Sequence, residues 1–369
     1  MILTTCAACA APLAHDASRC VRCKTRYCDS TCQHDHWRRG HKQICKKIHR
    51  GGNAEQYHAD NKYKEAVAVA AEACADDTKG QTCYICTEAV HWKTKEGIVR
   101  GCACRGTAGF AHVSCLAEQV KILVVEAEEN NLGAKALNER WELWFACNLC
   151  EQRYHGVVHC ALGWACWKTY LGRAEENWLR SNAMRQLGSG LQDADHHMEA
   201  LSVKEVNLST LRRLGASEGS ILAVQGNIAN TYQMIGMEER ALSIRREVYI
   251  GHLRLYGENH RKTLLEANNL ASLLIGLQRF KEVRSLLRKA LPVARRLLGA
   301  EHEVTLSIRE DFSGAILEDG DSSAEEKRKA VRMLEDTIRV MRRVLGTSHP
   351  TTLHAQKSLD VNQKKVPTG

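Results

Sequence analysis

Apolar and polar positions alternate with a helical period over the second half of the chain. In "NIANTYQMIGMEERALSIRREV", residues 227–248, two apolar stripes are broken at a glycine, which predicts a helical hairpin. The pattern recurs. Gly215, Gly257 and Gly299 are spaced 42 residues apart. His260 and His302 follow by three residues, Thr263 and Thr305 by six, and Asn227, Asn269 and Asp311 by twelve. A fourth glycine, Gly346, comes 47 residues on, the excess falling in the polar loop "EDGDSSAEEK"; His349 and Thr352 keep the register. "LGRAEENWLRSNAMRQLGSGLQDADHHMEALSVKEV", from near Gly172, reads as an earlier, divergent copy. Such hairpins cannot bury their apolar faces alone and must stack. The histidines fall at helix entries and are expected to cap or pack.

Upstream the period fails. "YHADNKYKEAVAVAAEACA", residues 57–75, is rich in helix formers and predicts a helical linker. "YHGVVHCALGWACWKTYL", residues 154–171, is aromatic and apolar but too short to span a bilayer, and predicts a packed connecting helix. No run of 18 apolar residues occurs, so no membrane span is expected. The start, MILTTCAACA, lacks a basic segment and a long apolar core, which argues against a secretory leader. The expectation is a soluble chain of a reducing compartment, cytoplasmic or nuclear.

Composition sharpens this. Of 369 residues, 17 are cysteine, and none lies beyond residue 172. In a reducing compartment, tight cysteine spacing points to metal. The formal charge of +9 overstates the basic character. Fourteen thiolates would subtract fourteen charges and four Zn²⁺ would add eight, leaving +3. Nucleic acid is therefore disfavoured as a partner, although a chromatin- or RNA-associated role is the third reading.

Residues 6–45 hold four pairs: Cys6 and Cys9, Cys20 and Cys23, Cys28 and Cys32, His41 and Cys45. Eight ligands complete two tetrahedral sites, and forty residues with almost no large apolar side chains need metal to fold. The order, with "YC" before the fifth ligand and "CQHDHW" from the sixth, resembles the MYND zinc finger. The resemblance implies interleaved sites, one of Cys6, Cys9, Cys28 and Cys32 and one of Cys20, Cys23, His41 and Cys45. It also implies a shallow groove for proline-containing peptides at Gln33 and Trp37; packing of the small core is the equal alternative for Trp37. The three residues between Trp37 and His41 are one more than the pattern has, an insertion eased by Gly40.

A second cluster reads Cys83-x2-Cys86, Cys102-x-Cys104, His112-x2-Cys115 and Cys147-x2-Cys150. Four such pairs exclude a lone redox CxxC, and a closed ligand count excludes hydrolytic zinc. "CACRGT" with "HVSCL" resembles the RING-CH, or RING-variant, finger. Its cross-brace implies one site of Cys83, Cys86, His112 and Cys115 and another of Cys102, Cys104, Cys147 and Cys150. The family's ubiquitin ligases dock a ubiquitin-conjugating enzyme; matching positions are Ile85 and Leu116. Departures are Gln119 in place of a tryptophan, Glu151 in place of a basic residue, and no proline inside the last pair. Trp141 or Trp144 is a candidate replacement for the missing aromatic. Cys74, Cys160 and Cys166 remain over and are expected to pack in the core.

The repeats, through "LGTSHPTTL" and "NNLASLL", resemble the 42-residue tetratricopeptide repeat of kinesin light chains. The expected fold is mainly α: two small cross-brace zinc domains followed by an α-solenoid of helical hairpins. Expected boundaries are a MYND-type finger at 1–48, a helical linker at 49–79, a RING-CH-type finger at 80–155, a connecting helix at 156–171 and the solenoid at 172–362. Four structural Zn²⁺ ions are the expected cofactors. The expected function is a ubiquitin ligase without its own nucleophile, choosing substrates through the repeats and the MYND groove. The rival is a non-catalytic scaffold binding protein or peptide partners.

Overall fold

The computed structural model describes residues 5–11, 13–14, 16–347 and 349–363. Met1–Thr4, at the start of the expected first finger, and Ser348 of the repeat hallmark lie outside them. About two thirds of the chain is helical, and the described residues form no sheet, only isolated antiparallel bridges. It divides into two compact units, Met1–Gly215 and Ala216–Gly369.

In the first unit, the N-terminal finger carries α1 (Ser30–His36) and α2 (Lys42–Arg50), joined by a wide π-turn over Trp37–His41. Gly40 there has φ +127, a conformation that side-chain-bearing residues avoid, so the glycine absorbs the extra residue before His41. The finger's core is small: Tyr27 and Ile48 sit among the cysteines. Next come α3 (Ala54–Ala73), capped by Asn53, and the short α4 (Ala75–Thr78).

The second finger contains α5 (Val113–Glu129), which carries the sixth ligand Cys115, and α6 (Gly133–Glu142), both between the fifth and seventh ligands. It leads into α7 (Gly156–Tyr170), α8 (Trp178–Asp193) and α9 (His197–Arg213). A helix apolar on every side belongs inside, and α7 is buried along nearly all its length. One continuous core joins α3, the second finger, α7, α8 and α9. Trp141 and Trp144 lie in it, their rings 5.2 and 6.0 Å from Tyr170. The buried His159 and Gln186 of this core find partners. His159 Nδ1 lies 2.6 Å from Asp193, and Gln186 Nε2 lies 2.7 Å from His159 Nε2 and donates to the Trp144 carbonyl. The division after Gly215 therefore leaves the divergent first hairpin, α8–α9, in the same unit as the fingers.

The second unit is a series of antiparallel pairs: α10 (Glu218–Met234) with α11 (Glu238–Tyr256), α12 (Arg261–Gly276) with α13 (Phe280–Leu298), and α14 (Glu303–Glu318) with α15 (Ala324–Val344). A last helix, α16 (Pro350–Gln363), packs on α14 and α15. The repeat positions now acquire reasons. Gly257 (φ 75, ψ 178) and Gly299 (φ 98, ψ 159) occupy backbone space open essentially to glycine alone. His260, His302 and His349 accept, through Nδ1, the amide of the second residue of the next helix, at 3.2, 3.1 and 3.3 Å. Thr263 donates back to the Gly257 carbonyl at 2.8 Å. The longer repeat is pinned by Arg284, which donates to Asp319 at 2.7 Å and to Glu326 at 2.8 Å.

Candidate metal centres and docking surface

Each CxxC pair sits on a tight knuckle built the same way. The amide of the first cysteine donates five residues ahead: Cys6 to Ala11, Cys20 to Thr25, Cys83 to Glu88, Cys147 to Gln152, all at 2.8–3.0 Å. The fifth residue donates back to the first carbonyl and takes a left-handed conformation, with φ 61 at Ala10, 63 at Lys24, 64 at Thr87 and 58 at Glu151. Inside the loop the third residue's amide points at the first sulfur, 3.4 Å for Ala8 to Cys6, 3.4 Å for Ile85 to Cys83 and 3.5 Å for Leu149 to Cys147. Burial alone would raise the Cys6 thiol, but the Cys9 amide, followed by those of Ala8 and Cys28, outweighs it and brings it down to about 6. The same opposition holds at Cys150, where burial raises the thiol and the Gln152 amide leads the lowering to about 7.

The remaining ligands come from helices and bridges. Cys28 and Cys32 flank the start of α1, whose cap Asp29 accepts the Cys32 amide at 2.8 Å. Cys45 lies in α2 and Cys115 in the first turn of α5. Val99 and Ala111 exchange two amide bonds that align the Cys102 and His112 segments. Gly109 is obligatory, since a Cβ there would lie 2.6 Å from Cys104 Cβ.

The sixteen expected ligands converge in four groups: Cys6, Cys9, Cys28 and Cys32; Cys20, Cys23, His41 and Cys45; Cys83, Cys86, His112 and Cys115; Cys102, Cys104, Cys147 and Cys150. Within each group all ligand atoms lie within 4.8 Å of one another. Measured sulfur pairs are 3.6 Å for Cys9–Cys28 and 3.8 Å for Cys9–Cys32, Cys20–Cys45 and Cys104–Cys147. A disulfide needs about 2.05 Å. Tetrahedral zinc with Zn–S near 2.3 Å places sulfurs about 3.8 Å apart. His41 through Nε2 and His112 through Nδ1 approach their cysteines at 3.4 and 3.3 Å. Donor chemistry and spacing both fit closed, structural zinc.

The candidate partner-binding residues separate. Gln33 is half-buried, and Trp37, one helical turn on, is exposed while Tyr27 fills the finger's core. Ile85 stands out at a knuckle tip, 37% exposed. Leu116 does not share its surface: it is 5% exposed, on the α5 stripe of Val113, Leu116, Val120 and Val124 that faces the core. Trp141 and Trp144 are also buried, so neither supplies a surface aromatic in place of the tryptophan at Gln119. Leu149, at the matching tip of the last knuckle, is 51% exposed. Tyr84 donates to Asn148 at 3.0 Å and holds the two tips side by side. Sequence reasoning missed Leu149; its signal was the register of "CNLC" on "CYIC". Cys160 and Cys166 are buried, with burial pushing the Cys160 thiol up to about 12, while Cys74 is half-buried against the Arg100 carbonyl.

Three family models match these regions: the MYND finger over residues 6–45, the RING-variant domain over 83–150, and the tetratricopeptide repeat over 267–303 and 322–351. The chain carries two kinds of zinc finger and a set of tetratricopeptide repeats. Ubiquitin carboxyl-terminal hydrolase 17 of Arabidopsis thaliana is 46% identical over 50 residues, which cover 13% of this chain and 7% of that protein. A putative kinesin light chain of Podosopora anserina with nearly identical TPR-like repeats aligns at 18% identity and a TM-score of 0.42, covering 63% of this chain and 97% of that one. BtubC (BKLC) of P. vanneervenii aligns at 16% and 0.47, covering 64% and 92%. No helix among the described residues is long and apolar enough to cross a membrane.

Proposed function

We propose that the chain is a RING-variant ubiquitin ligase that selects substrates through its repeats and its MYND-type finger. One observation carries the reading. The exposed apolar tips Ile85 and Leu149 are held together by the Tyr84–Asn148 hydrogen bond. Two apolar side chains on rigid loops form a small, preorganised contact for a ubiquitin-conjugating enzyme. The finger contributes no nucleophile. Zinc, when bound, supplies shape, and the finger's residues hold the conjugating enzyme so that a substrate amine meets its thioester. Gln33 and Trp37 supply a second, peptide-sized contact on the first finger.

Autoubiquitination with a panel of conjugating enzymes tests this. Chains should form with the wild-type protein and fall at least tenfold with Ile85→Ala, a loss of about 1.4 kcal/mol of docking, at unchanged zinc content. The burial of Leu116, Trp141 and Trp144 favours the second reading, a non-catalytic scaffold; failure across the whole panel decides for it.

A further inference from the structure

The second finger contains a knuckle that holds no thiolate. His91 donates its amide to the Glu96 carbonyl at 3.0 Å, Lys95 donates back to the His91 carbonyl at 2.9 Å, and Lys95 has φ 61. These are the bonds and the left-handed fifth residue of the four cysteine knuckles, with His91 and Thr94 where the cysteines would stand. Metal does not close this loop. The amide and hydroxyl of Thr94 lie 3.1 and 2.8 Å from His91 Nδ1 and close it instead. The tip positions, occupied by Tyr84 and Ile85 in the first knuckle, are Trp92 and Lys93. Trp92 is 68% exposed, the most exposed tryptophan among the described residues.

Beside this hairpin, between Lys93–Gly97 and α3, lies a cleft of about 740 Å³. Its apolar lining includes Val67 and Ala71. Its two carboxylates are already engaged. Glu96 accepts the Ser114 amide at 2.7 Å and faces the Tyr63 hydroxyl, and Asp60 pairs with Lys168 at 3.6 Å. Lys64, Lys93 and Lys95 are exposed and make no ion pair among the described residues. We infer that the thiolate-free knuckle and the α3 cleft form a docking site for an acidic peptide segment carrying one aliphatic or aromatic side chain. The three lysines meet the carboxylates, the apolar lining takes the anchor, and Trp92, exposed at the neighbouring knuckle tip, adds an aromatic contact outside the cleft. A peptide suits this lining better than a continuous phosphate chain, because its spaced carboxylates can avoid Asp60 and Glu96 while its one apolar side chain meets Val67 and Ala71. The inference does not rest on ligase activity, since Ile85 and Leu149 belong to other knuckles.

The test is fluorescence polarisation on the full, zinc-loaded chain. The probe is a fluorescein-labelled peptide with one Leu flanked by Asp and Glu, compared with a basic peptide of equal length. Saturable binding to the acidic peptide is expected, about tenfold tighter than to the basic one. The triple reversal Lys64→Glu, Lys93→Glu, Lys95→Glu should weaken it about tenfold, and Trp92→Ala at least fivefold. The reversal Arg328→Glu, Arg332→Glu on α15 should leave it unchanged. All four replaced side chains of the site are exposed, and zinc content reports retained folding. The inference is overturned if the acidic peptide binds no better than the basic one, if the triple reversal binds as wild type, or if single-stranded oligothymidylate displaces the peptide as well as unlabelled peptide does.

Discussion

Gly257 illustrates how single positions set the repeats. No atom lies within 4 Å of a Cβ added there, so space is not the constraint; the backbone angles are. Gly257→Ala should lower unfolding stability of the second unit by about 1–3 kcal/mol. Gly276→Ala, helical and equally open, should raise it by up to about 1 kcal/mol. Denaturant titration of both variants checks the contrast, and equal effects would remove the conformational explanation. These glycines were legible because they recur with their histidines and threonines. The left-handed knuckle residues were not. Ala10, Lys24, Thr87, Lys95 and Glu151 share no side-chain chemistry, and their conformation is imposed by the loop. The burial of Leu116 was hidden for a related reason. A ligand-counted position ignores the helix it starts, whereas the stripe from Val113 to Val124 already marked that face as interior.

Among the elements, α7 combines the clearest sequence signal with the least informative one. An all-round apolar segment predicts burial but gives no direction, so its neighbours stayed hidden. Glycines mark one of them. A Cβ on Gly190 of α8 would lie 2.6 Å from the His159 carbonyl oxygen, and one on Gly163 of α7 would lie 3.2 Å from Leu187 Cα. The first obstacle is rigid backbone at a forbidden distance. Gly190→Ala should therefore destabilise the first unit by about 1–3 kcal/mol through overpacking. Gly163→Ala should cost less. Thermal melts of the two variants would rank them; a harmless Gly190→Ala would show that the α7–α8 approach is looser than described. The ligand pairings, by contrast, were implied residue by residue by the resemblance to the MYND and RING-variant fingers, and the four groups coincide with them.

At the level of the whole molecule, the two units are stabilised differently. The first gathers all four metal centres, while the second holds itself by stacked apolar faces such as Leu306, Leu334 and Met341. All seven tryptophans lie before Gly215, so their fluorescence reports the first unit alone. A strong chelator should release about four zinc ions per chain and shift that fluorescence to the red, while a cooperative melt of the helical circular dichroism persists. Fluorescence indifferent to the chelator would contradict the metal-dependent core. The buried α7 has a consequence for biosynthesis. Cys150 leaves the ribosome with every ligand of the second finger available, yet the walls around Trp144 and Tyr170 stay bare until α8 emerges some forty residues later. The ligand set is thus complete before the outer wall of the core exists, and a chain paused in that interval exposes the apolar surface that α8 later covers, a target for a chaperone.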